Sequence, residues 1–288
     1  MSNRIDVKKT YKLYINGAFP RSESGRTYEV KNAKGVFVAN PCLASRKDLR
    51  DAVVAARAAH PGWNKATAYN RGQILYRIAE VLEGRREQFV AEIMASEGVR
   101  AGGANKQVDD AIDTWVWYAG WADKYAQVVG NGNPVSGPFF NLSTPEATGV
   151  VAAVAPQSGS ANSLLGVSAV IAPMLVSGNT VVVLANHTQP LSAISFAEVL
   201  ATSDVPGGVV NILTGDVAAV MPWLASHADV NALDLSGGAD LEWVSWSQDA
   251  AQTLKRVLPP SDGVPPRALE RVTFFTELKT VWHTKALG

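Results

Sequence analysis

The residues best placed to do chemistry in this sequence follow four apolar segments that have the composition of buried strands. The polar turns after these segments are 156–160, 184–187, 214–216 and 236–239. In a doubly wound parallel sheet such turns lie together at one edge, and ligands bind in the crevice between them. The residues that we expect to line this crevice are Pro156, Gln157, Ser158, Leu184, Asn186, His187, Gly215, Ser236, Gly237 and Gly238.

The Gly237-Gly238 pair has two interpretations. Backbone N–H groups that precede a helix can bind a phosphate. A glycine pair also suits a tight turn between a strand and a helix that binds nothing. The sequence has no GxGxxG motif, so the pattern favours the tight turn, with phosphate binding as the alternative.

Metal and thiol chemistry have little support in the sequence. The four histidines are scattered without ligand spacing, so no metal site is predicted. The single cysteine, Cys42, excludes an internal disulfide and a multi-cysteine metal site. It lies in ANPCLAS, far in the pattern from any strand end, and we expect an ordinary packed thiol. Neither a metal centre nor a reactive thiol is therefore predicted from these residues.

Composition and charge exclude several classes of protein. Lys+Arg and Asp+Glu both number 26, and this neutral chain lacks the basic surface that nucleic-acid binding requires. The longest apolar segment, 164–176, is interrupted by Gly166 and Pro173 and is too short to span a membrane. The N-terminus lacks the apolar stretch of a signal peptide. We expect a cytoplasmic protein that has no membrane partner.

The second half of the sequence alternates apolar strands with helices. The predicted strands are 150–155, 180–184, 209–213 and 231–235, and the predicted helices are 164–176, 190–202, 217–226 and 239–257. Fully apolar strands in this alternation indicate βαβ units and a parallel sheet that is covered on both faces. The predicted fold class is therefore α/β, with a doubly wound, mainly parallel, Rossmann-like sheet.

The first half is predicted to contain short strands and longer helices. The predicted strands are 11–16, 36–40 and 139–143, and the predicted helices after the first are 69–82, 87–96 and 108–129. The first helix is expected to begin at Ser45-x-x-Asp48, a capping-box pattern, and to end at Pro61-Gly62. At the end of the chain, alternating side chains over 271–283 predict one long final strand.

Several segments resemble the aldehyde dehydrogenase superfamily, in the same order. They are YKLYINGAF, ASRKDLRDAVVAARAAHPGW, GVVAAVAP, IAPMLVSGNTVVVL, QPLSA, PGGVVNILTG and HADVNALDLSGG. The tail FFTELKTVWH is similar to the last strand of that family, which joins neighbouring subunits. The resemblance implies a discontinuous nucleotide-binding domain (1–129 and 149–258), a β oligomerisation arm (130–148 and 270–288) and a linker, 259–269, where the catalytic domain would be.

The resemblance also implies that the family's chemistry is missing. Aldehyde dehydrogenases have a catalytic domain between the Ser236-Gly237 turn and the last strand, and this interval supplies their cysteine nucleophile and glutamate base. Here the interval holds one helix and a proline-rich linker, and no cysteine follows Cys42.

The family's cofactor residues are replaced as well. Lys-Pro-x-Glu, which holds the adenine ribose, is replaced by residues 184–187, from Leu184 to His187. Pro-Trp-Asn, whose amide helps to form the oxyanion hole, is replaced by Pro156-Gln157-Ser158. The amide is therefore lost, or its role is taken by Asn162 in the loop 157–163. An alternative is that this loop forms a new polar site.

These losses favour a non-catalytic member of the superfamily, similar to the cysteine-less second copies of duplicated aldehyde dehydrogenases. It would act by association through residues 271–283, either as a homodimer or with a full-length catalytic aldehyde dehydrogenase. One alternative is an NAD(P)-dependent aldehyde oxidoreductase subunit whose catalytic residues come from a partner. Another is a nucleotide-binding sensor without catalysis. No cofactor is expected, and NAD or NADP would bind weakly if at all.

Overall fold

The computed structural model describes residues 5, 7–158, 163–261 and 263–285, which contain two short strands, a run of five helices and then a mixed α/β region. The helices are α1 Arg46–Lys65, α2 Ala68–Gly84, α3 Arg86–Glu97, α4 Ala101–Trp121, α5 Tyr125–Val129, α6 Ser163–Val176, α7 Leu191–Ala201, α8 Val217–Ala225, α9 Trp243–Ala251 and α10 Leu269–Phe274. The strands are β1 Val30–Lys31, β2 Phe37–Ala39, β3 Asn131–Asn133, β4 Phe139–Ala147, β5 Val150–Val154, β6 Thr180–Leu184, β7 Val210–Leu213, β8 Ala232–Asp234, β9 Arg256–Leu258 and β10 Thr276–Thr284.

A five-stranded parallel sheet in the order β7-β6-β5-β8-β9 confirms the predicted fold class. From β5 the chain adds β6 and β7 on one side and then β8 and β9 on the other. The direction of winding therefore reverses between β5 and β8, and a ligand crevice is expected at the carboxyl ends of these two strands.

The three longest strands of the sheet, β5, β6 and β7, are mostly apolar and buried at every position, because both faces of the sheet are covered. On β6, Val181 and Val183 pack into one hydrophobic cluster, while Val182 and Leu184 pack into the other. Helices α4, α6 and α7 contribute to the first cluster, and α1 and α8 contribute to the second. Among the described residues, no helix combines the length and apolarity needed to cross a membrane.

Helix α1 begins as the sequence predicts but ends later. The Ser45 side chain accepts a hydrogen bond from the Asp48 N–H at 3.3 Å, and the Asp48 carboxylate accepts one from the Ser45 N–H at 2.8 Å. The prediction that Pro61 ends the helix is wrong, because α1 continues to Lys65. Trp63 in this last turn is buried, and its packing holds the turn although an interior proline disfavours it.

Other predicted elements also differ from the structure, and the strand predicted over 139–143 extends to Ala147. The segment 11–16 forms only isolated bridges, one of which joins Tyr14 to Ile212. The helix predicted over 108–129 begins earlier and is divided into α4 and α5. The helix predicted over 239–257 is shorter because Leu254 has a left-handed backbone (φ 54°) that ends it, and the three residues of β9 follow.

A second sheet, with the order β10-β4-β3, forms an antiparallel arm. The single long strand predicted over 271–283 is wrong at its start, because helix α10 precedes β10. Arg271, Val272 and Phe275 are all buried. Burial of Val272 and Phe275 in the hydrophobic core, and the contact of Arg271 with Asp234 of β8, therefore override the alternating pattern that predicted a strand.

Candidate functional site

The crevice between β5 and β8 is closed at its base by close contact between the two turns. The Gln157 N–H donates to the Gly237 carbonyl at 2.9 Å. A Cβ atom on Gly237 would lie 2.5 Å from the Ala155 carbonyl carbon and 2.6 Å from the Pro156 nitrogen. Gly237 thus lets the strand ends approach, which is the geometry of the tight turn; Gly238 beside it is also buried.

The amide of Gln157 is fully used within the chain. Its Nε2 donates to the carbonyls of Ala155 at 2.7 Å and Ala185 at 3.2 Å. Its Oε1 accepts a hydrogen bond from the His187 N–H at 3.0 Å. This side chain bridges the turns after β5 and β6, so it has no free polar atom to offer an oxyanion.

Asn186 is used in the same way. Its Nδ2 donates to the Pro156 carbonyl at 2.7 Å. Its Oδ1 accepts hydrogen bonds from the N–H groups of Thr188 at 2.9 Å and Gln189 at 2.8 Å. Asn186 therefore holds the turn after β6 in shape instead of pointing a donor into the crevice.

The remaining predicted crevice residues differ in their exposure and in their contacts. Leu184 is 3% exposed within a hydrophobic cluster, so a cation at this position would be buried and not presented to a ligand. The exposed His187 stacks on Tyr28 with ring centroids 4.9 Å apart. Burial raises the pKa of the Tyr28 hydroxyl above its ordinary range. Ser158 is exposed, and Asn162 lies outside the described residues.

Cys42 lies closer to the crevice edge than the sequence pattern suggests. The hydroxyl of Thr214, directly after β7, donates to the Cys42 carbonyl at 2.5 Å. The next residue, Gly215 (φ 139°), lies against the segment that contains Cys42. A Cβ atom on Gly215 would lie 3.2 Å from the Ala44 nitrogen. The predicted distance from any strand end is therefore wrong, although Cys42 is a buried residue in an apolar cluster, as expected.

Carboxylates occupy the helix starts along the carboxyl edge of the sheet. At α8, the Asp216 side chain accepts from the N–H groups of Ala218 at 3.0 Å and Ala219 at 3.4 Å. At α9, Glu242 is the N-cap residue and Asp240 is exposed just before it. These are the positions where a helix would otherwise bind phosphate, so a dinucleotide would meet negative charge there.

A third carboxylate, Glu97, reaches the start of α6 from the end of α3. Glu97 is 7% exposed and accepts hydrogen bonds from the Ser163 hydroxyl and from Gln107 Nε2, the latter at 3.4 Å. Burial is the largest influence on this carboxyl group and raises its pKa, although the bonds from Ser163 and Gln107 oppose the shift. The sequence gives no signal for this contact, because Glu97 and Ser163 are 66 positions apart.

We expect Glu97→Gln to stabilise the chain increasingly as the pH rises above the ordinary glutamate range. Because the folded-state pKa is raised, the wild-type contribution of this group is greatest below the unfolded pKa and is lost as the pH rises through the folded pKa. Gln107 Oε1 is buried without a partner and can accept from the new amide. Urea unfolding between pH 4 and pH 8 tests this, with the exposed Glu87→Gln as control. A variant less stable than the wild type at pH 8 would contradict it.

A buried ion pair lies at the end of β8, next to the crevice. Arg271 of α10 forms a salt bridge with Asp234, and the two side chains are 5% and 0% exposed. The Ser236 hydroxyl donates to the Asp234 carboxylate at 2.6 Å, and the Arg271 guanidinium donates to the Ser236 oxygen at 3.1 Å. Ser236, which was expected to line the crevice, is instead a closed part of this network.

Comparison with known proteins agrees with the fold. The model of the "Aldehyde dehydrogenase family" matches residues 19–263. Cytosolic 10-formyltetrahydrofolate dehydrogenase of Xenopus tropicalis is 31% identical over 272 residues, which are 92% of this chain and 30% of that protein. Retinal dehydrogenase 2 of Gallus gallus is 32% identical over 274 residues, which are 92% of this chain and 51% of that protein.

Solved structures give the same result. The NAD+ complex of an aldehyde dehydrogenase from Bacillus cereus has a TM-score of 0.79 at 26% identity, covering 86% of this chain and 50% of that one. The chain thus spans about half the length of this enzyme and of retinal dehydrogenase 2, and less than a third of the 10-formyltetrahydrofolate dehydrogenase. With its parallel sheet and a family match over most of its length, this chain belongs to the aldehyde dehydrogenase family.

Proposed function

We propose that this chain is a non-catalytic member of the aldehyde dehydrogenase family that acts by association through its β arm. The partner is a second copy of the chain or a full-length catalytic aldehyde dehydrogenase. The observation that carries this proposal is the arm itself, strands β3, β4 and β10, which has exposed apolar side chains on both faces and an unpaired edge.

The register of the arm assigns its apolar side chains to two faces. Trp282 lies opposite Asn141, and the exposed Leu278 and Trp282 share this face. Phe140 and Leu142, at 57% and 44% exposure, lie on the other face. Exposed apolar clusters of this kind mark interaction sites. A partner that covers both faces would remove these side chains from water.

The outer side of β10 provides a second reason to associate. β10 is an edge strand of nine residues and pairs only with β4 among the described residues. A long unpaired edge is a template for pairing with another chain. Main-chain hydrogen bonds would give affinity, and the aromatic side chains beside the edge would add buried area.

The position of the only cysteine supports the loss of chemistry. A thiohemiacetal mechanism needs an accessible thiolate. Cys42 is 4% exposed and packs among apolar side chains that include Leu213 and Val217. The residues between β9 and α10, 259–268, contain neither cysteine nor glutamate.

The crevice does not fit a bound dinucleotide. Asp216 caps the N–H groups at the start of α8, Glu97 is bonded to Ser163 at the start of α6, and Glu242 places a negative charge at the start of α9 without capping it. The amides of Gln157 and Asn186 are already hydrogen-bonded within the chain. Nicotinamide chemistry is therefore no part of the function that we propose for this chain.

An activity assay tests the loss of chemistry directly. We expect no aldehyde-dependent reduction of NAD+ or NADP+ by the purified chain, over short aliphatic and aromatic aldehydes. Cys42→Ser is the matched control, since it removes the only thiol in the sequence. Turnover by the wild type that disappears in Cys42→Ser would contradict the proposal.

A further inference from the structure

We propose that β10 pairs antiparallel with β10 of a second copy, about a two-fold axis that passes beside Thr280. This inference rests on the proposed function, because it specifies the partner and the register of the arm. The two arms would then form one continuous six-stranded sheet, with β3 at each end. A two-fold pairing of this kind is closed and self-complementary.

Hydrogen bonds at the two ends of β10 show which backbone groups are free. The Thr148 N–H donates to the Phe275 carbonyl at 3.3 Å, and the Lys285 N–H donates to the Pro138 carbonyl at 2.7 Å. In an antiparallel pair, residues alternate between bonding the neighbouring strand and facing away from it. The odd-numbered residues of β10 therefore bond β4. The residues whose N–H and C=O groups point to the open edge are Thr276, Leu278, Thr280, Trp282 and Thr284.

A two-fold axis at Thr280 matches all of these groups. Thr276 then lies opposite Thr284 of the second copy, Leu278 opposite Trp282, and Thr280 opposite itself. Every outward-facing residue meets another outward-facing residue, so the hydrogen bonds on both strands are satisfied over the full length of β10.

The side chains are complementary in the same register. Leu278 and Trp282, at 61% and 58% exposure, would pack against each other twice across the axis. Phe139, which contacts Trp282 edge-on with centroids 5.8 Å apart, extends this apolar cluster. On the other face Glu277 lies opposite His283 of the second copy, a carboxylate facing a ring that can donate a hydrogen bond.

The charges beside the edge do not oppose this pairing. Glu277 is held by Arg256 at 2.7 Å, and Lys279 is held by Glu146 at 3.1 Å. Lys279 would lie opposite Val281 of the second copy, so no like charges face each other. The edge strand β9 of the five-stranded sheet has only three residues and provides a much shorter edge than β10.

Charged substitutions at Thr280 test the register of the two β10 strands. Thr280→Lys and Thr280→Glu each place like charges opposite each other at the axis, and we expect the dimer dissociation constant to rise about 100-fold. Mixing the two variants should restore a dimer, because lysine then faces glutamate. Thr144→Glu, on the central strand β4, is the control and should leave the dimer unchanged. Sedimentation equilibrium measures each mass, and variants that stay as dimeric as the wild type would overturn the pairing.

Cross-linking provides an independent test in the full chain. Opposed residues in a hydrogen-bonded pair have Cα atoms about 5.5 Å apart, a distance that a disulfide bridges. Thr280→Cys should therefore form a covalent dimer under a mild oxidant, whereas Thr284→Cys, opposite residue 276, should not. The wild type, whose Cys42 is buried, should stay uncrosslinked.

The outcomes separate this pairing from the wider proposal. A dimeric wild type whose Thr280→Cys variant does not cross-link overturns this register and leaves association through the arm standing. A wild type that is monomeric at all concentrations overturns pairing with a second copy and leaves a full-length relative as the partner. Dimerisation that survives loss of the whole arm overturns both.

Discussion

Replacing Asp234 by alanine is expected to lower the free energy of unfolding by about 3–5 kcal/mol. The substitution leaves the Arg271 guanidinium, which is 5% exposed, without its carboxylate. It also removes the acceptor of the Ser236 hydroxyl. Burial of the charge still costs desolvation free energy, and no ion pair offsets this cost, so the folded state is destabilised. Urea unfolding at neutral pH measures the change.

Two further variants test whether the unpaired charge is the cause. Replacing both partners by apolar residues, as in Asp234→Leu with Arg271→Met, should recover most of the lost stability, because no charge remains buried. Arg267→Met removes an exposed pair with Asp113, joined at 3.5 Å, and should cost less than about 1 kcal/mol. If Asp234→Ala costs no more than Arg267→Met, the network does not stabilise the fold as argued.

The second large effect that we expect is the absence of saturable NAD+ or NADP+ binding in isothermal titration calorimetry. A hydrogen bond to a charged group contributes on the order of 1.5–3 kcal/mol. Loss of two or three such bonds would weaken binding by roughly two to six powers of ten. Carboxylates at the starts of α8 and α9 add repulsion toward the phosphates.

Neutralising these carboxylates tests the electrostatic part of the argument. Asp216→Asn keeps an N-cap side chain, and with Glu242→Gln it removes two negative charges from the carboxyl edge. The double variant should bind dinucleotide measurably better than the wild type. The same charge change at the exposed Glu87, in the first turn of α3, should have no effect. A low-micromolar dissociation constant for the wild type would disprove the loss of binding.

The core of the fold could be predicted because its signals are local. Strands β5 and β6 are apolar except for Thr180 and are buried at every position, as burial on both faces requires, and β6 has the predicted bounds. The start of α1 was predictable because Ser45 and Asp48 satisfy each other within one turn. Such signals lie within a few residues of the structure that they specify.

The features that sequence reasoning missed depend on distant contacts. The alternation after Arg271 predicts a strand, but the chain forms α10 because Arg271 reaches Asp234, 37 positions away. Cys42 meets Thr214, 172 positions away, since the segment that contains it crosses the end of β7. Strand β9 was missed because three residues that begin with an arginine carry too little pattern to predict a strand.

The position of the crevice was predictable from the sequence, but the hydrogen bonding of its side chains was not. Sheet topology placed Gln157, Asn186 and Gly237 together, as the order of strands required. That their polar atoms bond each other, and that Glu97 reaches the start of α6, depends on side-chain geometry that spacing does not encode. Asp216 carried a readable signal, because it is the last residue of the turn between a predicted strand and a predicted helix.

The most direct test of the central claim is the mass in solution of the whole chain compared with a chain truncated after Phe275. This truncation removes β10 and keeps the buried Arg271, Val272 and Phe275 in place. We predict that the whole chain sediments at about twice 30.6 kDa and that the truncated chain is a folded monomer. A truncated chain that remains folded and sediments with the same oligomeric state as the whole chain would contradict association through the arm.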